Sequence, residues 1–366
     1  MWRKTLDHQA NSELQNILEH YDLGKLTNYQ KDIRGFVNTS FTIETIKDGK
    51  IKKSFLRRYK KGVKEEELLF EHSVINHLVE YHTLPVACIY KTRHGKSYVH
   101  LFRDEADQLG TFYAIFDFLQ GEDRYTWVDP QCTAGEIISS AQILAQFHAA
   151  VTDLQPQGKR AELKILDLLN QINDFLSTVS TKNKHTLFDD YLLANLPFLN
   201  TDLQKTRSIL SQPEVAQLMQ CVIHCDYHPG NLKFTGEQVS GLFDFDWSKV
   251  DFRLFDVALA LWYFFTSWKS ENDGELQLPQ VKLFYEKYQL YLSNSQEISP
   301  LTPLERCYLP WMINASNLYI LNWTLLDYYN KDVDPQEYFR FLRHSVNFSR
   351  WFENPQNPDR LSKIFV

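Results

Sequence analysis

The hydrophobic and polar positions in the first third of the chain follow mostly the two-residue period of β-strands. Residues 41–44 alternate between apolar and polar side chains, and Asp48–Gly49 predicts a tight hairpin turn into a second strand. Residues 86–119 continue as short strands and turns, and 114–121 predict a last strand that runs into a connector. A short helix over 11–23 precedes them, so this part of the chain is predicted to be strand-rich.

The segment 64–81 is the clearest helix of this first region. Leu68, Ile75 and Leu78 form its apolar stripe, and Glu71 stands on that stripe. A carboxylate on an apolar face needs a partner, because burying it unpaired is costly. Either Glu71 pairs with a cation inside the protein, or it lies at the edge of the stripe and reaches water.

From about residue 134 onward the apolar positions take the period of helices. The first of these helices carries His148 on its apolar face, where a histidine is predicted to be a core residue with satisfied hydrogen bonds. The residues from Thr302 to Glu305 and from Asp334 to Glu337 both resemble helix starts. The predicted helices cover 134–151, 162–179, 186–218, 251–265 and 303–330. A chain of 366 residues is long enough for two domains or lobes.

The stretch 221–247 carries the chemistry that stands out most. It contains His224 and Asp226, then Asn231 five residues after that aspartate, then Asp244 thirteen residues further on. Phosphoryl transfer needs a carboxylate beside the attacking hydroxyl and Mg²⁺ bridging the phosphates, and Mg²⁺ takes oxygen ligands. Such residues also cluster in surface turns. The complete H-x-D-x-x-x-x-N and D-F arrangement, which parallels the protein-kinase pattern, argues against that alternative.

The motifs HCDYHPGNLKF and GLFDFDW resemble those of the aminoglycoside phosphotransferase and choline-kinase-like family, which includes the type II homoserine kinases. The resemblance implies a protein-kinase-like, two-lobed α+β fold. Residues 1–115 would form a small nucleotide-binding lobe with an antiparallel sheet, 116–121 a hinge, and 122–366 a larger, mainly helical lobe. The chain departs from the common family pattern at Cys225, where most members have glycine.

The resemblance also implies the cofactors and the central roles. ATP, with GTP left open, would be the phosphoryl donor, and Mg²⁺ would accompany it. Asp226 would orient and partly deprotonate the acceptor hydroxyl, while Asn231 and Asp244 would bind the metal. Asp246 is an extra carboxylate that would assist or replace Asp244.

Two further residues have structural roles in the family. His224 would pack within the catalytic loop and hydrogen-bond it. Asp256 matches the D-x-A element, in which the aspartate accepts backbone hydrogen bonds from that loop. The simpler interpretation of Asp256 is a helix N-cap, and the two roles are compatible.

Other residues are expected to bind the nucleotide. Gly35, Asn38 and Ser40 resemble the loop that covers the phosphates, where a glycine lets backbone N–H groups approach an anion. Without the other motifs, this glycine would be interpreted as a turn. The hinge would contact the base through backbone atoms, with Asp117 and Leu119 among them.

The cation that pairs with the phosphates is expected on the second strand of the hairpin. The family pattern is apolar-apolar-Lys or Arg, which makes Arg57 the match, with Arg58 or Lys60 as alternatives. Glu71 is then expected to pair with Arg57. The competing interpretation is a solvated basic edge strand.

The late helix that begins at Pro303 is expected to line the substrate pocket, as such helices do in the family. Trp311, Asn314 and Asp327 are its candidate substrate residues, with Tyr263 upstream. Aromatic faces bind cations, and a carboxylate pairs with an amine. Aromatic residues at helical spacing are also common in protein cores.

Composition narrows the remaining choices. The net charge of −7 argues against a nucleic-acid partner, which would need a basic face. The five cysteines are scattered, so neither a zinc site nor a disulfide framework is predicted. The N-terminus lacks an apolar secretion core, and no apolar run is long enough to span a membrane. We therefore expect a cytoplasmic protein with a small-molecule partner and no membrane partner; its assembly stays open, a homodimer included.

These observations together predict an ATP-dependent phosphotransferase that acts on a hydroxyl of a small metabolite. A homoserine-, choline- or aminoglycoside-like acceptor is expected, with homoserine first. The main alternative is a catalytically inactive binding protein with a kinase fold, which the complete set of Asp226, Asn231 and Asp244 disfavours. Protein-kinase activity is disfavoured because no A-P-E-like anchor follows Asp246.

Overall fold

The structure of the protein is a computed structural model, and it describes residues 2–32, 37–81, 84–102, 107–179 and 184–366. The chain forms two compact units. The first unit comprises Met1–Gln120, Gln155–Arg160 and Gly241–Asp246. The second unit comprises Gly121–Leu154, Ala161–Ser240 and Trp247–Val366.

An antiparallel sheet of five strands forms the centre of the first unit. The strands are β1 Lys25–Asp32, β2 Thr39–Lys47, β3 Lys50–Arg58, β4 Val99–Leu101 and β5 Thr111–Asp117, in the order β1-β2-β3-β5-β4. The predicted hairpin is confirmed, since Asp48 and Gly49 at its turn have φ of 51° and 75°. β3 lies inside the sheet, so the edge-strand interpretation of its basic residues was wrong.

Two helices accompany this sheet, α1 Trp2–Glu19 and α2 Glu65–Tyr81. The core of the unit joins α1 to the sheet through buried side chains that include Leu14, Ile17, Ile43, Leu56 and Ile115. The helix predicted over 64–81 is confirmed. The helix predicted over 11–23 has different bounds, since α1 begins at Trp2 and ends at Glu19. Its start was not predicted because the polar residues before position 11 show no apolar period.

Two expectations for the strands needed correction. β1 was not predicted, because its sequence KLTNYQKD shows little alternation of apolar and polar residues. Most of its side chains are exposed in the structure. Residues 86–98, expected to be strands, contribute only isolated bridges such as Ile89 with Phe116.

The second unit is mainly helical, as predicted. Its helices are α3 Ala134–Ala150, α4 Ile165–Thr178, α5 Leu187–Leu210, α6 Arg253–Phe265, α7 Leu278–Ser293, α8 Pro303–Asn330, α9 Pro335–Glu353 and α10 Gln356–Ile364. Its short strands pair as β6 Gln220–Ile223 with β9 Lys249–Phe252, and β7 Leu232–Thr235 with β8 Gln238–Leu242, of which β8 runs on into the first unit.

The predicted helix starts hold. Thr302 and Glu305 form a reciprocal capping box with Pro303 at the first position. Asp334 accepts hydrogen bonds from the backbone N–H groups of Gln336 and Glu337. Within the described parts of the chain, no helix combines the length and the apolar character needed to cross a membrane.

Candidate active site

The loop after β6 is held by a buried carboxylate of α6. Asp256 accepts hydrogen bonds from the backbone N–H groups of His224 at 2.9 Å and Cys225 at 2.8 Å. His148 lies 3.1 Å from the same carboxylate and 2.8 Å from the hydroxyl of Tyr288, so it is the satisfied core histidine that was predicted. The hydrogen bonds that a bracing role requires are therefore present. The N-cap interpretation was wrong, because Phe252 occupies the N-cap and Asp256 lies inside the first turn.

Cys225 has a backbone conformation that favours glycine. Its φ is 62°, in the left-handed region, where a side chain costs roughly 1–2 kcal/mol. The thiol is buried, and burial raises its pKa to about 12, so it stays protonated. The departure from the common glycine thus adds local strain without adding a reactive group.

Asp226 and Asn231 are joined by two hydrogen bonds. The amide nitrogen of Asn231 donates to the backbone oxygen of Asp226 at 2.9 Å and to its Oδ2 at 2.8 Å. Both N–H bonds of the amide are used in this orientation, which leaves its oxygen for a cation. The residues from Pro229 to Asn231 form one turn of 3₁₀ helix that sets this spacing.

Two side chains that sequence reasoning did not connect to Asp226 also contact it. Tyr263 donates from its hydroxyl to Oδ1 at 3.2 Å, and His228 Nε2 lies 3.5 Å from Oδ2. The backbone N–H of Gly230 donates to Nδ1 of His228, so in the neutral ring the proton is on Nε2 and faces Asp226. Burial alone would raise the pKa of Asp226, but His228 and the other donors hold it below its usual range.

The sequence did contain a signal for each of these residues. His228 is two positions from Asp226 within the motif itself. Tyr263 is seven residues after Asp256, which places both on one face of α6.

In the first unit, Arg57 bridges two carboxylates. Its Nη1 donates to Oε1 of Glu71 at 2.9 Å, and its Nη2 donates to Oδ1 of Asp244 at 2.8 Å. Glu71 is only 1% exposed, so the predicted ion pair is present and the alternative in which Glu71 reaches water was wrong. Arg58 instead pairs with Glu13 at 3.3 Å. Asp244 has φ of 69°, a strained conformation that is common at functional sites.

The segment before β2 is tied to the second carboxylate of the D-F-D sequence. Asn38 donates from its amide to Oδ2 of Asp246 at 2.8 Å and accepts from the backbone N–H of Lys60 at 3.0 Å. Ser40 is buried and lies opposite Arg57 in the strand register. Gly35, the third predicted residue of this loop, lies outside the described residues.

The predicted hinge residues differ in what they can offer a nucleotide. The backbone N–H of Asp117 donates to the carbonyl of Cys88 at 2.9 Å, and its side chain accepts from the hydroxyl of Tyr90. Asp117 therefore has no free backbone donor for a base, which corrects part of that expectation. Leu119 is half-buried, and its role stays a prediction.

The loop histidine and the late helix complete the set of predicted residues. His224 is fully buried, and the rings of Phe147 and Tyr227 pack against it at 6.2 and 5.9 Å, as a structural role requires. Asn314 is also fully buried, and it donates to Asp202 at 2.7 Å, so its predicted substrate role was wrong.

The other two candidates on α8 also have protein partners. Asp327 pairs with Lys331 at 2.7 Å and accepts from the hydroxyl of Tyr338 at 3.2 Å. Trp311 packs against Phe352 with ring centroids 5.3 Å apart. A polar residue that faces a pocket and one that is hydrogen-bonded in the core give the same helical pattern, so the sequence alone does not separate the two.

Comparisons with known proteins identify the family and the fold of the chain. Residues 33–284 match the model of a family described as the phosphotransferase enzyme family. A homoserine kinase of Parvibaculum lavamentivorans is 27% identical over 91% of this chain and 93% of its own length. A homoserine kinase of Bradyrhizobium sp. (strain BTAi1) is 28% identical over 91% of this chain and 92% of its own. The structure of the amicoumacin kinase hAmiN in complex with AMP-PNP, Ca²⁺ and Ami is similar in fold, with a TM-score of 0.64, 14% identity and 96% of each chain covered.

Proposed function

This chain belongs to the phosphotransferase enzyme family and is an ATP-dependent small-molecule kinase, and from that premise we propose that its acceptor is the side-chain hydroxyl of homoserine. One observation carries the choice of acceptor. The two homoserine kinases compared above match 91% of this chain and 92–93% of their own lengths, so the similarity extends well beyond the catalytic motifs.

Asp226 is proposed to receive the acceptor hydroxyl. Its pKa lies below the usual range, so the carboxylate is charged at neutral pH and accepts a hydrogen bond from the hydroxyl. A base this weak orients the hydroxyl more than it deprotonates it before transfer. That suits phosphoryl transfer, which depends mainly on positioning and on stabilising charge.

Mg²⁺ is the proposed metal, and the residues fit it. When bound, the ion would neutralise the charge that develops on the phosphates during transfer. The amide oxygen of Asn231 and the carboxylate oxygen of Asp244 that Arg57 does not hold are the proposed ligands. Both are oxygen donors, as Mg²⁺ prefers, and both side chains are held in one orientation by hydrogen bonds.

Arg57 is proposed to contact the phosphates of ATP. Its Nε is buried and has no hydrogen-bond partner among the described residues. An unpaired buried donor on a charged group is costly, and a phosphate oxygen would satisfy it. Asn38 and Ser40 would lie over the phosphates, and the backbone at Leu119 would contact the base.

A panel of acceptors tests the proposal. The purified protein is incubated with Mg-ATP and homoserine, choline, ethanolamine or an aminoglycoside, and ADP formation and the phosphorylated product are measured. We expect kcat/KM for homoserine to exceed that of the others at least tenfold. A higher value for another acceptor would replace homoserine, and nucleotide binding without any turnover would favour the inactive binding protein instead.

A further inference from the structure

The carboxylate of Glu71 is held at both of its oxygens. Oε1 accepts from Arg57 at 2.9 Å, and Oε2 accepts from the hydroxyl of Tyr59 at 3.0 Å. Glu71 is 1% exposed and Tyr59 is 4% exposed, so water does not take the place of either donor. Because a buried carboxylate needs donors at both oxygens, Tyr59 is half of what keeps Glu71 charged.

The hydrogen bonds continue beyond Tyr59 in a single direction. Its hydroxyl lies 3.1 Å from Nε2 of His72, and Nδ1 of His72 lies 2.7 Å from the hydroxyl of Ser97. An ionised carboxylate only accepts hydrogen bonds, so the single hydroxyl hydrogen of Tyr59 is donated to Glu71. Nε2 of His72 must then donate to Tyr59, and Nδ1 must accept from Ser97.

The state of His72 agrees with this assignment. Burial, together with the charges of Arg57 and Lys91, lowers the pKa of His72 to about 3, so the ring is neutral. A neutral imidazole has one donor and one acceptor, which is what the two contacts require. The donor and the acceptor of each hydrogen bond from Ser97 to Glu71 are therefore fixed, and each polar hydrogen along this chain has an acceptor.

These hydrogen bonds join three parts of the first unit. Tyr59 follows β3 directly, and its backbone N–H donates to the carbonyl of Phe112 on β5 at 3.0 Å. His72 is the residue after Glu71 on α2, and Ser97 precedes β4. Arg57 and Tyr59 are two residues apart along the chain, and both turn toward Glu71 on α2. These hydrogen bonds thus join α2 to the sheet at the position of Glu71.

We propose that Tyr59 and His72 are positioning residues that hold Glu71 charged and aimed at Arg57, so that the guanidinium is placed for the phosphates of ATP. The inference rests on the proposed function only in that Arg57 contacts the nucleotide. It adds two residues that none of the sequence motifs contains.

The test measures the binding of Mg-AMP-PNP by calorimetry, with no acceptor present. Tyr59→Phe removes only the hydroxyl. Tyr98→Phe is the matched control, because Tyr98 is also buried and also donates to a glutamate of α2, but to Glu65 at its start. A hydrogen bond to a charged group is worth enough that Tyr59→Phe should weaken binding roughly tenfold, and Tyr98→Phe less than twofold.

His72 is tested by two substitutions. His72→Leu removes the donor to Tyr59, and binding should weaken about fivefold, less than for Tyr59→Phe because the direct bond to Glu71 remains. The amide nitrogen of glutamine lies close to where Nε2 of histidine does. His72→Gln should therefore restore binding to within about twofold of wild type, which a loss of packing alone would not predict.

The dependence of binding on pH separates positioning from a general loss of stability. Burial raises the pKa of Glu71, while Arg57 and the hydroxyl of Tyr59 lower it; the other charges that act on it are Asp244, which raises its pKa, and Arg160, which lowers it. Removing the hydroxyl raises the pKa further, so Glu71 becomes protonated at a higher pH. The affinity of Tyr59→Phe should then fall more steeply, as the pH is lowered, than that of wild type or Tyr98→Phe.

The outcomes distinguish this inference from the function on which it rests. If wild type binds Mg-AMP-PNP and Tyr59→Phe binds equally well with the same pH dependence, the positioning role is wrong and the kinase proposal stands. If wild type does not bind the nucleotide at all, the role of Arg57 and this inference both fail. Selectivity for homoserine does not enter either result.

Discussion

Arg57 holds Asp244 through a hydrogen bond of 2.8 Å from Nη2 to Oδ1, while its other terminal nitrogen holds Glu71. One side chain therefore links the sheet, helix α2 and the D-F-D sequence within the first unit. A guanidinium suits this role, because its two terminal nitrogens donate in fixed, diverging directions, whereas a lysine carries its three donors on one nitrogen. Kinases commonly have lysine at this position. Arg57 keeps the positive charge of that lysine but differs from it in the geometry of its hydrogen-bond donors.

The first prediction follows from that geometry. Arg57→Lys should keep the pairing with Glu71 or with Asp244 but not both, so the KM for ATP should rise about tenfold or more. Arg58→Lys is the matched control, because Arg58 pairs with Glu13 and its KM for ATP should change less than twofold. Steady-state kinetics with varied ATP measure both, and equal KM values for the two variants would contradict the bridging role.

The second prediction concerns the base. Asp226→Ala should lower kcat on the order of 10³-fold, because the acceptor hydroxyl loses the group that orients it. The nucleotide should still bind, since Arg57 and its partners are unchanged, and calorimetry with Mg-AMP-PNP checks this. Turnover by Asp226→Ala at the wild-type rate would show that another residue receives the hydroxyl.

The sequence predicted the contacts that follow from a period or from a family motif. Glu71 on a helical stripe required a cation, and Arg57 was the motif match, so their pairing was predictable. Tyr59 and His72 were not predictable, because each acts through a hydrogen bond between two different elements. Such a contact leaves no periodic pattern in the sequence. The predicted substrate role of Asn314 was wrong for a related reason. Its hydrogen-bond partner Asp202 is far from it in the sequence, so the pairing that satisfies it in the core could not be predicted.

The third prediction concerns the strained loop residue Cys225. Cys225→Gly should relieve roughly 1–2 kcal/mol of backbone strain, offset by greater freedom of the unfolded chain and by the lost packing of the thiol. The free energy of unfolding should stay within about 1 kcal/mol of wild type, and kcat within about threefold. Urea unfolding and steady-state kinetics measure these two quantities.

Valine at the same position is the contrasting variant. A β-branched side chain tolerates positive φ poorly, so Cys225→Val should lower the free energy of unfolding by about 2 kcal/mol or more. If valine and glycine are tolerated equally, the backbone at this position is not held in the left-handed region.

The fourth prediction concerns the pH dependence of stability. Asp202 accepts a hydrogen bond from Asn314 at 2.7 Å in the helical core, and burial raises its pKa to about 6. Asp202 therefore stays protonated in the folded protein up to about pH 6, whereas in the unfolded chain it loses its proton near the ordinary pKa of an aspartate. The stability that this proton contributes is present below about pH 4 and is lost as the pH rises through 6.

Asp202→Asn tests this directly, because the amide has the same shape and carries no charge at any pH. A pKa difference of about two units corresponds to about 3 kcal/mol, so the variant should be more stable than wild type by about 1–3 kcal/mol at pH 8. The difference should shrink as the pH falls and disappear near pH 4. Urea unfolding at pH 4, 6 and 8 measures it, and a variant that is less stable than wild type at pH 8 would mean that the charged carboxylate is stabilised by donors in the core.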